Sequence, residues 1–275
     1  MRKKTMQLRP SRVLRKLRAG KPAFSTKTNF GDPRIVEIMA LAGFDCCWTC
    51  NEHVPGDWMN TLAQITAAKA HDMDTVVRVS KGSYSDYIRP LEADATGIMV
   101  PHLMSAQEAR DVVHMTKFQP MGRRPVDGGN NDGAFCMIPP AEYMEQANRE
   151  RFVICQIEDP EPMAELDEIA STPGLDMLFF GPGDFSHGLG IPGQYDHPDV
   201  VGARREMAAA CKRHGILAGT VGSIEKVPQL LEEGYLFINI GSDVGLLING
   251  WRQAVEDLKP YGIDAGDTCD PQRSY

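Results

Sequence analysis

The sequence feature that most constrains the fold of this chain is a series of eight short apolar segments separated by segments of helical periodicity. The apolar segments are 22–28, 44–50, 74–79, 97–101, 152–158, 177–181, 216–220 and 236–241. Strands that alternate with helices form parallel sheets whose faces the helices cover. Eight such units in 275 residues match the size of a (β/α)8 barrel, in which functional residues lie at the carboxyl ends of the strands. The pattern predicts an α/β protein with a (β/α)8 TIM barrel.

A doubly wound open sheet is the alternative architecture, and it would require a glycine-rich phosphate turn after the first strand. Residues 27–31 read Lys-Thr-Asn-Phe-Gly and do not fit that motif. No internal repeat, low-complexity tract or linker divides the sequence. We therefore predict a single domain over residues 1–275, with an amino-terminal helix at about 11–19 and a short irregular tail at about 260–275.

The composition limits the kinds of molecule that this protein could bind. A net charge of -8 argues against a nucleic-acid surface, which needs clustered Lys and Arg. No apolar run is long enough for a membrane span, and the amino terminus lacks the apolar core of a signal peptide. The seven cysteines lack paired zinc spacing and are expected as free thiols. These features predict a cytoplasmic protein that acts on small molecules, not on nucleic acid or membranes.

Two carboxylates follow neighbouring strands. Gln156-Ile157-Glu158 ends the fifth strand, Asp184 follows the sixth in Gly181-Pro182-Gly183-Asp184, and residues 160–170 between them have the spacing of one amphipathic helix. Adjacent parallel strands bring both acids to one sheet edge, and Gln156 shares a face with Glu158. Two carboxylates without nearby thiolates suit Mg²⁺ or Mn²⁺. A glycosidase-like acid/base pair and a pair of solvated loop acids are the alternatives.

Three basic residues could act with these acids. His53 lies beside Glu52 in the loop after the second strand and is a candidate general base or metal ligand. Arg78 lies in a strand of β-branched residues, where its positive charge needs a negative partner: a substrate anion, a developing oxyanion or a carboxylate in a structural ion pair. Lys81 is a candidate Schiff-base lysine.

These residues, in this order, resemble the HpcH/HpaI family of class II, metal-dependent pyruvate aldolases, which includes 2-dehydro-3-deoxyglucarate aldolases. The similarity extends from about Ser11 to Leu258. Its motifs are Asn51-Glu52-His53-Val54-Pro55, Val76-Val77-Arg78, Gly122-Arg123-Arg124, Gln156-Ile157-Glu158, Gly181-Pro182-Gly183-Asp184-Phe185-Ser186 and His197-Pro198.

The resemblance implies that Glu158 and Asp184 hold a divalent metal, Mg²⁺ or Mn²⁺ with Co²⁺ as a further candidate. The metal would chelate pyruvate or a related 2-oxo acid. Gln156 and the backbone around Gly183 and Asp184 would help to bind this substrate. It further implies a homotrimer or homohexamer.

The resemblance also assigns catalytic roles. Arg78 would stabilise the enolate oxygen, His53 would transfer a proton through water, and Glu92 would raise the basicity of His53. Glu92 stands where the family usually has aspartate. A second departure is Cys50, which replaces the family's usual aspartate in strand two and bears on the orientation of His53.

The implied reaction is that of an aldehyde-lyase. A 4-hydroxy-2-oxo acid would be cleaved to pyruvate or a related 2-oxo acid plus an aldehyde, through a metal-bound enolate. A non-catalytic or weakly active 2-oxo acid-binding barrel, and a lyase that acts on a diacid or a coenzyme A thioester, remain alternatives. The long loop 119–135, rich in turn residues, and loops of a neighbouring subunit are expected to contact the aldehyde. His102, Tyr84 and the pair Asn130 and Asn131 are further candidates.

Overall fold

The eight strands close into one parallel barrel. In a computed structural model that describes residues 6–263, each strand pairs with its sequence neighbours and β8 pairs with β1. The predicted TIM barrel is confirmed. The predicted tail lies largely outside the described residues. The strands are β1 (Ala23–Lys27), β2 (Cys46–Cys50), β3 (Asp74–Arg78), β4 (Gly97–Val100), β5 (Phe152–Ile157), β6 (Met177–Phe180), β7 (Leu217–Gly222) and β8 (Phe237–Ser242).

Helices alternate with the strands along the chain, as predicted for a barrel. Local capping sets several of their starts; for example, the Asp32 carboxylate accepts the Arg34 N–H at the start of α2. Among residues 6–263, no helix has both the length and the apolar character of a membrane span. The α-helices are α1 (Arg12–Arg18), α2 (Pro33–Leu41), α3 (Trp58–Ala70), α4 (Tyr84–Glu92), α5 (Ala106–Thr116), α6 (Pro140–Glu150), α7 (Leu166–Ala170), α8 (Pro182–Gly188), α9 (Pro198–His214), α10 (Val227–Glu232) and α11 (Asp243–Leu258).

The helix predicted at 160–170 is divided in two. A 3-10 segment, Glu161–Glu165, precedes the short α7. Proline at 160 and 162 removes two backbone donors, and the N–H of Met163 bonds the carbonyl of Pro160 in the tighter 3-10 pattern. The helical segment before β8 likewise begins as a 3-10 turn, Ile224–Lys226, before α10.

The side chains that fill the barrel determine where the site lies. An interior cluster includes Trp48, Val76, Ile154 and Phe179, and the Trp48 and Phe179 ring centroids are 5.5 Å apart. Since inward positions recur every two residues along a strand, the next inward positions lie one layer nearer the carboxyl ends. On β2, β3 and β5 these positions are Cys50, Arg78 and Gln156, which form the floor of the barrel mouth; Lys27, the last residue of β1, pairs in register with Trp48 beside them.

Candidate active site

The two predicted acids lie on adjacent strand ends. Glu158 immediately follows β5 and is 1% exposed, whereas Asp184 is exposed in the first turn of α8 after β6. One Glu158 oxygen accepts the N–H of His102 at 2.9 Å, and the other accepts the side-chain amide of Gln156. Burial raises the pKa of Glu158 to about 7, and the nearby Asp184 charge acts in the same direction. A positive ion at this position would offset both effects.

The surrounding groups fit a divalent cation. The side-chain oxygen of Gln156 is buried and has no hydrogen-bond partner within residues 6–263, although such groups are normally satisfied. Gly181 makes room for the carboxylate, because a Cβ there would lie 2.7 Å from Cβ and 2.8 Å from Oε2 of Glu158. No group of three or more His, Cys, Asp or Glu residues within 6–263 has metal-binding geometry. Glu158 and Asp184 would therefore leave positions for water and substrate, as Mg²⁺ sites commonly do.

Glu52 connects the basic residues of the mouth. Its carboxylate oxygens lie 2.9 Å from Arg78 Nε, 3.5 Å from His53 Nε2 and 3.8 Å from His102 Nε2. The oxygen nearest Arg78 is buried, and the contact lacks hydrogen-bond geometry. The sequence showed an acid beside His53 at this strand exit, but the contacts of Glu52 with Arg78 in β3 and with His102 after β4 depend on the packing of neighbouring strands.

Arg78 is held in a fixed position at the mouth. Its Nε and Nη2 donate to the sulfur of Cys50 at 3.3 and 3.2 Å, and its guanidinium carbon lies 5.1 Å from the centroid of the Trp48 ring. Arg78 is only 5% exposed. The sulfur of Cys50 therefore lies beside Arg78, and Glu52 supplies the negative charge next to the guanidinium.

His53 lies at the edge of the mouth. Its side chain is 57% exposed, and its backbone N–H donates to the sulfur of Cys50 at 3.5 Å. Glu92 ends α4, which runs from the carboxyl end of β3 back toward the start of β4. Glu92 therefore lies toward the opposite end of the barrel, where burial raises its pKa and Arg124 opposes that shift. One chain does not bring Glu92 to His53, and its catalytic role stays a prediction.

His102 is part of the same group of residues. Its Nδ1 lies 2.8 Å from Asp159 Oδ2, and its Nε2 lies 3.8 Å from Glu158. Burial alone would lower the pKa of His102, but its bond with Asp159 and the surrounding carboxylates raise the pKa overall. Lys81, the alternative Schiff-base residue, lies 2.7 Å from Glu108 and donates to the carbonyl of His102. An ammonium held in this way does not suit nucleophilic attack.

Lys27 is a member of the mouth that the sequence analysis missed. It ends β1, and its Nζ lies 5.6 Å from the centroid of the Trp48 ring. The period of two along residues 23–27 could have identified it, since Ala23 and Lys27 share a face.

The loop 119–135 is held away from the strand ends within one chain. Arg124 and Asp132 form a buried ion pair at 2.7 Å, and the hydroxyl of Tyr143 in α6 donates to Asp132 at 2.6 Å. A separate open cavity of about 480 Å³ begins at Pro182 and Gly183 and extends over the ends of β7 and β8. This cavity reaches Gly183, which precedes Asp184, and its lining includes no residue of the loop. The predicted role of the loop in aldehyde binding remains untested.

The profile of the HpcH/HpaI aldolase/citrate lyase family matches residues 29–250. The chain belongs to this family. A hydroxypyruvate/pyruvate aldolase from Pseudomonas aeruginosa is 30% identical over 255 residues, which cover 92% of this chain and 95% of that relative. A 2-dehydro-3,6-dideoxy-6-sulfogluconate aldolase from Pseudomonas putida is 33% identical over 227 residues, which cover 81% and 87%.

A solved HpcH/HpaI aldolase from Desulfitobacterium hafniense DCB-2 has 29% identity and a TM-score of 0.84, with 92% of this chain and 98% of that chain covered. The resemblance seen in the sequence is confirmed. This HpcH/HpaI protein is a class II aldolase, and its family is in general dependent on divalent metals.

Proposed function

We propose that this aldolase cleaves a 4-hydroxy-2-oxo acid to pyruvate, or a related 2-oxo acid, plus an aldehyde. The observation that carries the proposal is that buried Glu158 and the unpartnered Gln156 oxygen lie next to Asp184, which is in the first turn of α8 after the neighbouring strand β6. Opposite them, Arg78, Glu52 and His53 supply a fixed cation and a proton-transfer group. The hydroxypyruvate/pyruvate aldolase relative is consistent with this substrate class.

Glu158 and Asp184 would hold Mg²⁺ or Mn²⁺, with Co²⁺ as a further candidate. When bound, the metal would polarise the keto group of the 2-oxo acid. Gln156 would orient the acid, and the N–H groups of Gly183 and Asp184, in the first turn of α8 where helical donors lack partners, would bind its carboxylate.

Arg78 would stabilise the enolate oxygen, because its guanidinium is held rigidly by Cys50 and Glu52 and needs little reorganisation. During cleavage His53 would take the proton of the 4-hydroxyl group and, through a water molecule, would deliver a proton to C3 of the enolate, which releases the 2-oxo acid. During addition it would move both protons in the reverse direction. Its exposure and its contact with Glu52 allow it to exchange these protons with solvent.

We further propose that the chain forms a homotrimer or homohexamer in the cytoplasm. Helix α11 exposes large apolar side chains, with Leu246 at 60% and Trp251 at 64%. An open groove of about 540 Å³, which includes Phe24, Phe44 and Val227, lies on the outer face between β1 and α10. A second copy's α11 would cover this groove. The six cysteines within the described residues are all free thiols, in keeping with a reducing compartment.

The decisive experiment measures exchange of pyruvate methyl protons in heavy water by NMR, with chelator and then with added Mg²⁺ or Mn²⁺. Enolate formation predicts exchange that requires the metal and is lost in Glu158→Ala and His53→Ala. Aldehydes offered with pyruvate, and separately with hydroxypyruvate, should then give aldol products. Exchange that resists chelation and survives Glu158→Ala would contradict the proposal. A barrel that only binds 2-oxo acids would show metal-dependent binding without exchange.

A further inference from the structure

The amine of Lys27 is a charged group of the mouth that the proposed reaction leaves unused. The β1–β2 register pairs Lys27 with Trp48, and its Nζ lies 5.6 Å from the centroid of the Trp48 ring. Because Trp48 belongs to the cluster that fills the barrel, its register partner also points inward. Half-buried Lys27 therefore directs its ammonium into the mouth.

Among the residues that the structure describes, this ammonium has no carboxylate partner. Within residues 6–263, every other lysine that is not exposed has a carboxylate oxygen within 4.0 Å, whereas Lys27 has none. The paired lysines are Lys16, Lys69, Lys117 and Lys226. A partly desolvated charge without an ion pair is costly unless a ligand supplies the opposite charge.

The nearby acids are already engaged. The carboxylate of Asp243 accepts the hydroxyl of Thr28 at 2.8 Å and the backbone N–H groups of Asn29 and Phe30 at 2.8 to 3.1 Å. Glu52 lies against Arg78. Burial lowers the pKa of Lys27 and the charge of Arg78 adds to this effect, while Cys50, Glu52 and Asp243 oppose it. A ligand anion would complete the charge balance around Lys27.

The strand order indicates which part of a substrate reaches this amine. In the closed barrel β1 lies opposite β5, which carries Glu158. Arg78 on β3 lies between these two positions. A substrate that is bound at Glu158 and Asp184 by its 2-oxo acid end, and that crosses the mouth, would bring its other end to β1.

We propose that Lys27 is a specificity-determining residue that binds an anionic group, a carboxylate or a phosphate, on the aldehyde half of the substrate. This inference rests on the proposed aldolase function. It assigns to the enzyme a 4-hydroxy-2-oxo acid that carries a second acidic group, released as an acidic aldehyde.

The test compares matched aldehydes as acceptors for pyruvate in the metal-loaded enzyme. Succinate semialdehyde is compared with butanal, and glyceraldehyde 3-phosphate with glyceraldehyde. The readout is the ratio of kcat/KM within each pair, which cancels changes in the amount of active enzyme. The variants are Lys27→Met, the charge-retaining Lys27→Arg and a control, Lys21→Met, at an exposed lysine outside the mouth.

We expect the wild type to prefer the acidic member of at least one pair, and that pair identifies carboxylate or phosphate as the ligand. Lys27→Met should reduce this preference about ten- to a hundred-fold, as expected for a lost charged hydrogen bond. Lys27→Arg should retain most of it, and Lys21→Met should retain all of it.

An unchanged preference in folded Lys27→Met would overturn the proposal. So would the absence of any preference in the wild type, a measurement that does not depend on the folding of a variant. Pyruvate proton exchange without aldehyde tests the proposed function separately. If exchange occurs but no acidic preference exists, the role of Lys27 is wrong while the aldolase function stands; if exchange fails, the function itself fails.

Discussion

Replacement of Gly181 by alanine tests the geometry of the metal-binding site directly. The backbone of Gly181 has φ -103° and ψ 88°, which a residue with a side chain can adopt without the strain of a positive φ. An added Cβ would lie 2.7 Å from Glu158 Cβ, 2.8 Å from Glu158 Oε2 and 2.8 Å from Gln156 Nε2. The substitution therefore displaces the two side chains proposed to bind metal and substrate, but it removes none of the proposed ligand residues.

The size of the effect follows from these distances. Ordinary carbon contacts are about 3.5 Å or longer, so the Glu158 side chain must move by about 0.8 Å. Metal sites tolerate displacements of about 0.2 Å, and disturbed outer contacts typically weaken metal affinity ten- to a hundred-fold, or about 1.4 to 2.7 kcal/mol. Overpacking would cost about 1 to 3 kcal/mol of stability, reduced by about 0.4 to 1 kcal/mol because alanine restricts the unfolded chain.

The assay is titration of metal-free protein with Mn²⁺, followed by calorimetry or electron paramagnetic resonance, with urea unfolding as a parallel measurement. The matched control is Gly202→Ala in α9, where an added Cβ meets nothing within 4 Å. Affinity should fall in Gly181→Ala and remain unchanged in Gly202→Ala. Wild-type Mn²⁺ affinity in a folded Gly181→Ala protein would refute the assignment of Glu158 as a ligand positioned by this close approach.

Three further predictions concern stability and assembly. Arg124→Met leaves its buried carboxylate partner unpaired and should lower the free energy of unfolding in urea by about 3 to 5 kcal/mol, whereas exposed Arg123→Met should change it by less than about 0.5 kcal/mol. Burial alone would raise the pKa of Glu233, but bonds to its arginine partners lower it overall, so the stabilisation from Glu233 is present above the ordinary pKa of 4.5 and is lost as pH falls through the lower folded value. In urea unfolding from about pH 3 to about pH 6, Glu233→Gln should therefore lose less stability on acidification than the wild type. An equal pH dependence in the two proteins would contradict this prediction. Trp251→Glu should shift sedimentation velocity toward smaller species, whereas exposed Gln253→Glu on the same helix should not; equal profiles would argue against α11 as the assembly surface.

The barrel and its acid pair could be predicted because they depend on local patterns. Eight apolar segments separated by helical periodicity leave few parallel architectures, and carboxylates directly after β5 and β6 must share the same end of a parallel sheet. Gln156 and Glu158 share a face simply because strand side chains alternate. Arg78 was recognisable because a charge inside a β-branched strand needs a partner.

The contacts within the mouth were decided by the tertiary structure, because they join residues far apart in the sequence. Barrel closure brings Glu52 to Arg78 and His102, and it directs Lys27 of β1 across from Glu158 of β5. The same topology separates Glu92 from His53, since a helix that returns to the start of the next strand carries its last residue to the opposite end of the barrel. Sequence alone therefore determined which chemical groups reach the strand ends, and the closed barrel determined which of them meet.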